Sequence, residues 1–158
     1  MWEFKLKREY EAQVQDLERC DAVQAMRAFP QHVKGFSTHD HASLVAYSSF
    51  RICRALGLDA RAAARGGLLH DMFLYNWMEY RSPIRFDHML NHARYALENA
   101  RRHFTLTDAE EDIIASHMWP ANPFRFYRCW EAFIVSCMDK LCTAAELLHL
   151  VPLITRAG

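Results

Sequence analysis

The stretch Gly66–Trp77, GGLLHDMFLYNW, places an imidazole and a carboxylate side by side within an apolar run. His70 and Asp71 follow two leucines and precede the apolar run Met-Phe-Leu. Burying such groups without partners costs several kcal/mol, so polar side chains seldom lie alone in a core. The stretch therefore predicts that these two side chains face partners supplied by other parts of the chain.

Length and composition favour a helical protein with a core of its own. The chain has 158 residues, enough for one domain to bury a core without disulfide or metal staples. Apolar residues make up 51% of it, and only five glycines and five prolines interrupt them. The 19 basic and 19 acidic side chains balance, so the charge predicts neither a nucleic-acid polymer nor a membrane surface as a partner.

The chain shows no targeting or disulfide pattern. Its start, MWEFKLKREYEAQ, is charged throughout, unlike a signal peptide. No apolar run reaches the roughly 18 residues that a membrane span needs. The five cysteines, at positions 20, 53, 129, 137 and 142, include no CxxC pair, and we interpret them as reduced thiols, mostly in the core. We therefore expect a cytoplasmic protein.

The spacing of apolar residues predicts helices along the whole chain and no strand. Helices are expected over about 3–28, 40–56, 59–73, 86–103, 107–119 and 128–149. Gly57 should end the second, and Thr107 with Glu110 forms a capping box for the fifth. The pair Gly66-Gly67 would permit a close backbone approach near His70. With no repeat and no linker, we expect one all-α domain over residues 1–158.

Further polar side chains interrupt these apolar helices. Together with the first pair they are His41, His70, Asp71, His92, His117 and Asp139. Imidazole nitrogen and carboxylate oxygen suit iron, manganese, zinc, nickel or cobalt, and do not resemble a thiolate site. Asp139 shares a helix face with Val135 and Cys142, and an inward carboxylate needs a cation or several donors to stay ionised. The set has the right size for two divalent ions.

This ordered H…HD…H…H…D pattern resembles the HD-domain metal-dependent phosphohydrolases. The resemblance covers about residues 32–146, and an ordered pattern is far more specific than an isolated His-Asp pair. The six-ligand version resembles the binuclear subgroup of the family. The matching segments are HASLVAYSSFRICRALGLD, AAARGGLLHDM, NHARYALENA, DIIASHMWP and VSCMDKLCTA.

The resemblance implies an HD-domain helical bundle with a metal centre between its helices. We expect the core of the domain over about residues 32–146, with the N-terminal helix packing on it. The resemblance also implies that one ion is bound by His41, His70, Asp71 and Asp139, and a second by Asp71, His92 and His117. Two divalent transition-metal ions are expected, Fe or Mn first, with Zn, Ni, Co or Mg as alternatives. A hydroxide bridging the ions would attack a small-molecule phosphoester, with a nucleotide or dinucleotide as the expected class.

Asp71, His88 and Lys140 are the candidate catalytic residues. His88 precedes His92 by four positions and so shares its helix face, where it could contact substrate or act as general acid. Lys140 follows Asp139 and could attract a phosphate as a point charge. Other candidates are less specific: His32 and His39 could line an entrance, loop arginines could grip phosphate, and aromatic rings could stack a base. These arginines and rings are Arg81, Arg85, Arg125, Trp77, Trp119 and Tyr127.

Two rival functions share the same residues. Some HD-fold proteins with this ligand set use a mixed-valent di-iron centre to activate O₂ and cleave a C–C or C–P bond. A non-catalytic module that binds a metal or ligand is the other alternative. The sequence does not separate the three, because the ligand set is common to them.

Overall fold

Seven α-helices and one 3₁₀ turn form within residues 2–84 and 86–151, the part of the chain that the computed structural model describes. No strand occurs in this part, so the expected all-α class is confirmed. None of its helices is long and apolar enough to cross a membrane. The helices are α1 (Trp2–Glu18), α2 (Asp21–Ala25), α3 (Thr38–Leu56), α4 (Ala60–Leu69), α5 (Asp87–His103), α6 (Asp108–Ser116) and α7 (Trp130–Leu147), with the 3₁₀ turn at Met26–Ala28.

The helix expected over residues 3–28 is divided in two. Helix α1 ends at Glu18, and Cys20 takes an extended backbone before α2 begins. The Gln24 side chain donates to the Glu18 carbonyl at 2.8 Å and to its carboxylate at 2.9 Å, which compensates for the interrupted helix. The turn allows Leu17 before it and Val23 after it to be fully buried.

Local capping sets several helix ends as expected. Thr107 and Glu110 form the capping box that begins α6, and a second box, between Ser37 and Asp40, begins α3. Gly57 ends α3 with φ 71°, in the left-handed region that glycine adopts without strain.

The glycine pair lets α4 pack closely between two other helices. A Cβ added at Gly67 would lie 2.9 Å from the Cα of Ala46 on α3. One added at Gly66 would lie 2.8 Å from the Ile113 side chain on α6. The predicted close approach is therefore present, and it draws three helices together one turn before His70.

Helix α4 ends at Leu69, so His70 closes it and the residues from Asp71 onward leave the helix. The helix expected to continue to Phe73 is thus shorter than predicted. The Asn99 side chain on α5 donates to the Met72 carbonyl at 2.9 Å and holds this departing segment. Asp71 can therefore reach His92 on α5.

Two apolar clusters surround α4. The larger one joins α1 to α3 and α4 and includes Leu17, Phe50 and Leu68, while the smaller one joins α3, α4 and α6 to α7 and includes Val45, Ile113 and Val135. All five cysteines are free, and only Cys53 and Cys142 are buried, so fewer of them lie in the core than expected.

Candidate metal centre

The structure brings all six predicted ligand residues together at the end of α4. All six belong to interlocking groups of three residues whose nitrogen and oxygen atoms lie within 4.8 Å of one another. Each comes from a different place in the fold: His41 from α3, His70 from the end of α4, Asp71 from the turn after it, His92 from α5, His117 from the end of α6 and Asp139 from α7. Five helices thus converge on one buried polar cluster.

Asp71 lies between two sets of imidazoles, and each of its oxygens faces one set. Its Oδ2 lies 3.5 Å from His70 Nε2 and 3.9 Å from His41 Nε2. Its Oδ1 lies 3.4 Å from His92 Nε2 and 3.6 Å from His117 Nε2. We call the side around Oδ2 the first half of the cluster and the side around Oδ1 the second half.

Asp139 belongs mainly to the first half. Its Oδ1 lies 3.0 Å from His41 Nε2 and 3.6 Å from His70 Nε2. It also groups with His70 and His117, so the two halves touch. The first half therefore contains two imidazoles and an extra carboxylate, whereas the second contains two imidazoles only.

Hydrogen bonds on the outer side of each ring aim all four Nε2 atoms at the centre. Three of the rings place Nδ1 against a backbone carbonyl, which only accepts, so Nδ1 carries the proton and a neutral ring keeps a lone pair on Nε2. The distances are 2.7 Å for His70 to Gly67, 2.8 Å for His92 to His88, and 2.9 Å for His117 to Ile114. His41 instead places Nδ1 2.6 Å from a carboxylate oxygen of Glu146.

The cluster is not satisfied by its own atoms. The Nε2 atoms of His92 and His117 lie 2.9 Å apart although their outer contacts leave both with lone pairs. His70 Nε2 and Asp71 Oδ1 are buried without any hydrogen-bond partner. Buried polar atoms in native proteins almost always have partners, so these orphans indicate a missing positive species. Four inward nitrogens and two carboxylates fit divalent transition metals in donor type and number.

Charge effects differ between the halves. Burial disfavours a proton on His41, but the carboxylates of Asp139 and Glu146 outweigh it and raise the pKa of this imidazole to about 10. In the second half, burial together with His70 and His92 lowers the pKa of His117 to about 3. Burial also opposes the charge on Asp71, yet His70 and the neighbouring imidazoles hold the pKa of its carboxyl well below the usual range. Positive charge is therefore favoured most strongly in the first half.

A cavity of about 530 Å³ opens onto this cluster. Asp71, His92, His117 and Asp139 form its polar floor, and apolar side chains form much of its wall. The other lining residues include Gln31, His32, Trp77, His88, Met89, Met118, Lys140, Thr143 and Leu147. The volume falls in the range typical of small-molecule sites.

His88 lies in the cavity wall. Its Nδ1 is 2.8 Å from the Tyr75 hydroxyl, and its ring stacks between Trp77 and His92 at centroid distances of 5.3 and 4.7 Å. Burial and the neighbouring His92 lower its pKa to about 4, so it is neutral near pH 7. A neutral imidazole is suited to hydrogen bonding and is a weak source of protons.

Lys140 also lines the cavity, with its ammonium group anchored at the end of α6. It donates to the His117 carbonyl at 2.8 Å and to the carbonyl and hydroxyl oxygens of Ser136 at 3.1 and 2.9 Å. Its ammonium lies 3.9 Å from Asp139 Oδ2. Lys140 therefore joins α7 to the His117 backbone and also brings a positive charge to the cavity.

The less specific candidates divide into two groups. His32 and Trp77 line the cavity, whereas His39 does not and instead contacts Glu18 at 2.9 Å. Arg81 and Arg125 are exposed and are not among the described residues that line the cavity. Trp119 and Tyr127 pack against each other and Phe126, away from its lining. Arg85 lies outside the described residues.

Sequence reasoning missed two buried residues that contact the cluster. Glu146 accepts from His41 and His32, and Gln31 donates to Asp71 Oδ2 at 2.8 Å. Glu146 follows Asp139 by seven positions, which places both on one face of α7, so helical spacing could have revealed it. Gln31 lies in an irregular loop where no periodicity points inward.

Comparison with known proteins gives one match. The sequence model of the HD domain family matches residues 38–144, well over half of the chain. The match begins at the first residue of α3 and includes all six cluster residues, but it excludes Gln31, His32 and Glu146. No curated protein and no solved structure matches the chain.

Proposed function

The chain belongs to the HD domain family, and on that premise we propose that it is a metal-dependent phosphohydrolase that cleaves a small-molecule phosphoester. Members of this family are generally metal-dependent phosphohydrolases. The observation that carries the proposal is the incomplete polar cluster, in which His70 Nε2 and Asp71 Oδ1 are buried without partners. Asp71 also lines a cavity that a small molecule can enter.

The proposed ligand set follows the two halves of the cluster. One ion would be held by His41, His70, Asp139 and Asp71. The second would be held by His92, His117 and Asp71. The support is that each Asp71 oxygen faces one pair of imidazoles, at 3.5 and 3.9 Å on one side and 3.4 and 3.6 Å on the other.

A pair of divalent ions supplies a water of lowered pKa and neutralises phosphate oxygens. Iron and manganese are the metals that we expect first, because neutral imidazole and carboxylate suit both. The chain has to orient these ligands, position the ester and exclude competing water. Asp71 contributes most to this task, since it is shared between the halves.

His88 and Lys140 are the proposed substrate contacts. The Tyr75 hydroxyl holds His88 Nδ1 at 2.8 Å, which leaves Nε2 available to hydrogen-bond an oxygen of the substrate. The Lys140 ammonium, fixed by the His117 carbonyl at 2.8 Å, attracts the phosphate as a point charge. The two groups approach the cavity from α5 and α7, on separate walls.

A nucleotide or dinucleotide is the first substrate class to test. The cavity of about 530 Å³ is large enough for a nucleoside monophosphate. Trp77 lines it with a ring that already stacks on His88 and offers a flat apolar surface to a base. Met89, Met118 and Leu147 extend this apolar wall.

The test is a substrate panel with metal-free protein reloaded with Mn²⁺ or Fe²⁺. Nucleoside monophosphates, dinucleotides and mono- and bis-p-nitrophenyl phosphate are assayed for phosphate or p-nitrophenol release. We expect turnover of at least one ester, loss of turnover with a chelator, and recovery when metal is returned. The surface variant Glu98→Gln, which loses an exposed ion pair with Arg94 on α5, should keep wild-type turnover.

Other outcomes favour the rival functions. A stable Fe(II)/Fe(III) signal in EPR under air, with O₂ consumption, would favour oxygenation, whereas activity supported by Mn²⁺ favours hydrolysis. Protein that holds two ions and turns over no ester with either metal would contradict the proposal. A non-catalytic module predicts that Asp71→Ala removes the ions with no activity to lose.

A further inference from the structure

Glu146 is a buried carboxylate beyond the stretch that matches the family. It lies in the last turn of α7, and its side chain is 0% exposed. Its Oε1 lies 2.6 Å from His41 Nδ1 and its Oε2 lies 2.9 Å from His32 Nδ1. A carboxylate without solvent is costly unless charged or polar donors face it, and here two imidazoles do so.

This contact acts on His41 from the side opposite the cluster. A carboxylate accepts only, so His41 Nδ1 carries the proton and Nε2 is left to face Asp139 and Asp71. A carboxylate on the outer nitrogen of a ligating imidazole fixes the ring orientation and makes the inner nitrogen more basic. Its full negative charge makes this hydrogen bond stronger than one to a neutral carbonyl.

The imidazoles of the second half have no such partner among the described residues. His92 and His117 donate from Nδ1 to the neutral backbone carbonyls of His88 and Ile114. The two halves therefore differ in the outer contact of one ring as well as in the presence of Asp139. His70, in the first half, also donates to a backbone carbonyl, so the difference in outer contacts comes from His41 alone.

We propose that Glu146 is a positioning residue that makes the first half of the metal centre bind its ion more tightly than the second half. The inference rests on the proposed metal centre, but it concerns affinity and not the reaction. His32 completes the arrangement by donating to the other oxygen of Glu146, so the carboxylate keeps a fixed direction toward His41.

The experiment is a titration of metal-free protein with Mn²⁺, in which EPR measures the free ion. Wild type is expected to show a tight and a weak class of site. Glu146→Leu should raise the Kd of the tight class by about 10–100-fold, the usual cost of losing an outer partner of a metal ligand. Glu146→Gln keeps an acceptor for His41 without the charge, so it should raise the Kd of the tight class several-fold less. Glu98→Gln is the control for the same substitution on the surface.

The effect on the two classes of site shows whether Glu146 positions His41 or whether its replacement damages the whole protein. A selective loss in the tight class, with the weak class within about threefold of wild type and unchanged far-UV circular dichroism, supports the inference. His92→Ala should do the converse and remove the weak class. An unchanged tight class in Glu146→Leu, or equal losses in both classes, would overturn the role of Glu146. Wild type that binds no Mn²⁺ would instead overturn the proposed metal centre itself.

Discussion

Two clusters built on buried ionisable side chains contact α4, one around Arg65 in the middle of the helix and one around His70 at its end, and they differ in whether their buried atoms have hydrogen-bond partners. In the first, Arg65 donates from Nε to Glu110 at 2.8 Å and from Nη1 to Asp16 at 2.5 Å. The second carboxylate oxygen of Glu110 accepts from the Thr107 backbone at 2.8 Å. Arg65 and Glu110 are almost fully buried, yet neither leaves an orphaned side-chain atom.

The histidine cluster at the end of α4 is not satisfied in this way. Its residues are as deeply buried, but it places His92 Nε2 against His117 Nε2 at 2.9 Å and leaves His70 Nε2 and Asp71 Oδ1 without partners. Burial of ionisable groups is common to both clusters. The candidate site is therefore distinguished by buried nitrogen and oxygen atoms that face its centre without hydrogen-bond partners. The Arg65 cluster has no such atoms.

Replacing Asp71, which belongs to both halves of the histidine cluster, should have the largest effect on metal binding and turnover. Asp71→Asn should release ions and lower kcat/KM by about 10³-fold or more, because bound metals supply several kcal/mol to the transition state at about 1.4 kcal/mol per tenfold. Metal content by mass spectrometry and ester turnover measure the two effects. Full occupancy of both sites in this variant would show that Asp71 is not a ligand.

Replacing Arg65 should damage stability and spare the metal. Arg65→Met leaves the Glu110 carboxylate buried without its main partner, so the free energy of unfolding should fall by about 3–5 kcal/mol in urea denaturation. Adding Glu110→Gln removes the unpaired charge and should recover part of the loss. Folded Arg65→Met protein should still take up the wild-type number of ions. Loss of those ions would mean that the two clusters are not independent.

Metal addition should stabilise the protein through the histidine cluster only. Mn²⁺ at about 100 times its Kd adds about 2.7 kcal/mol, which raises Tm by about 5–10 °C at roughly 2–4 °C per kcal/mol for a chain of this size. Differential scanning calorimetry with and without Mn²⁺ measures the shift. Asp139→Asn should reduce it strongly, while the exposed control Asp108→Asn keeps it. Equal shifts in the two variants would contradict a ligand role for Asp139.

The smallest effect concerns His88 and pH. The folded pKa of His88, about 4, is below the ordinary value of 6.5, so the unfolded state binds more protons between these values. The stability of metal-free protein should therefore fall as the pH drops from about 6.5 to about 4. This fall should be shallower in His88→Gln than in the exposed control His103→Gln. Urea denaturation at several pH values measures both slopes. Identical slopes in the two variants would contradict a buried, neutral His88.

The helical class was accessible from the sequence because it depends on local pattern, and the six cluster residues were accessible because their order along the chain resembles a family pattern. Apolar spacing and capping residues such as Thr107 and Gly57 identified most helix ends, and the order of histidines and aspartates identified the cluster. The break at Cys20 was missed because apolar residues recur at roughly helical spacing on both sides of it, although the six positions from Leu17 to Val23 do not return to the same helix face. The change of direction depends on tertiary burial of both.

The outer contacts of the cluster were harder to predict for a different reason. Glu146 lies on the face of α7 that Asp139 occupies, but a glutamate near a helix end usually faces solvent. Gln31 reaches Asp71 from a loop whose path is set by backbone bonds such as Gln31 N–H to the Phe36 carbonyl at 2.9 Å. Spacing along a helix carries no information about such a loop.

The most direct test of the proposed metal centre is anomalous diffraction from crystals of the protein loaded with Mn²⁺. Two peaks are expected beside Asp71, one within coordination distance of each carboxylate oxygen, with His41 and His70 around one and His92 and His117 around the other. Folded protein in metal-replete crystals with no peak between Asp71 and these imidazoles would contradict the proposed metal centre.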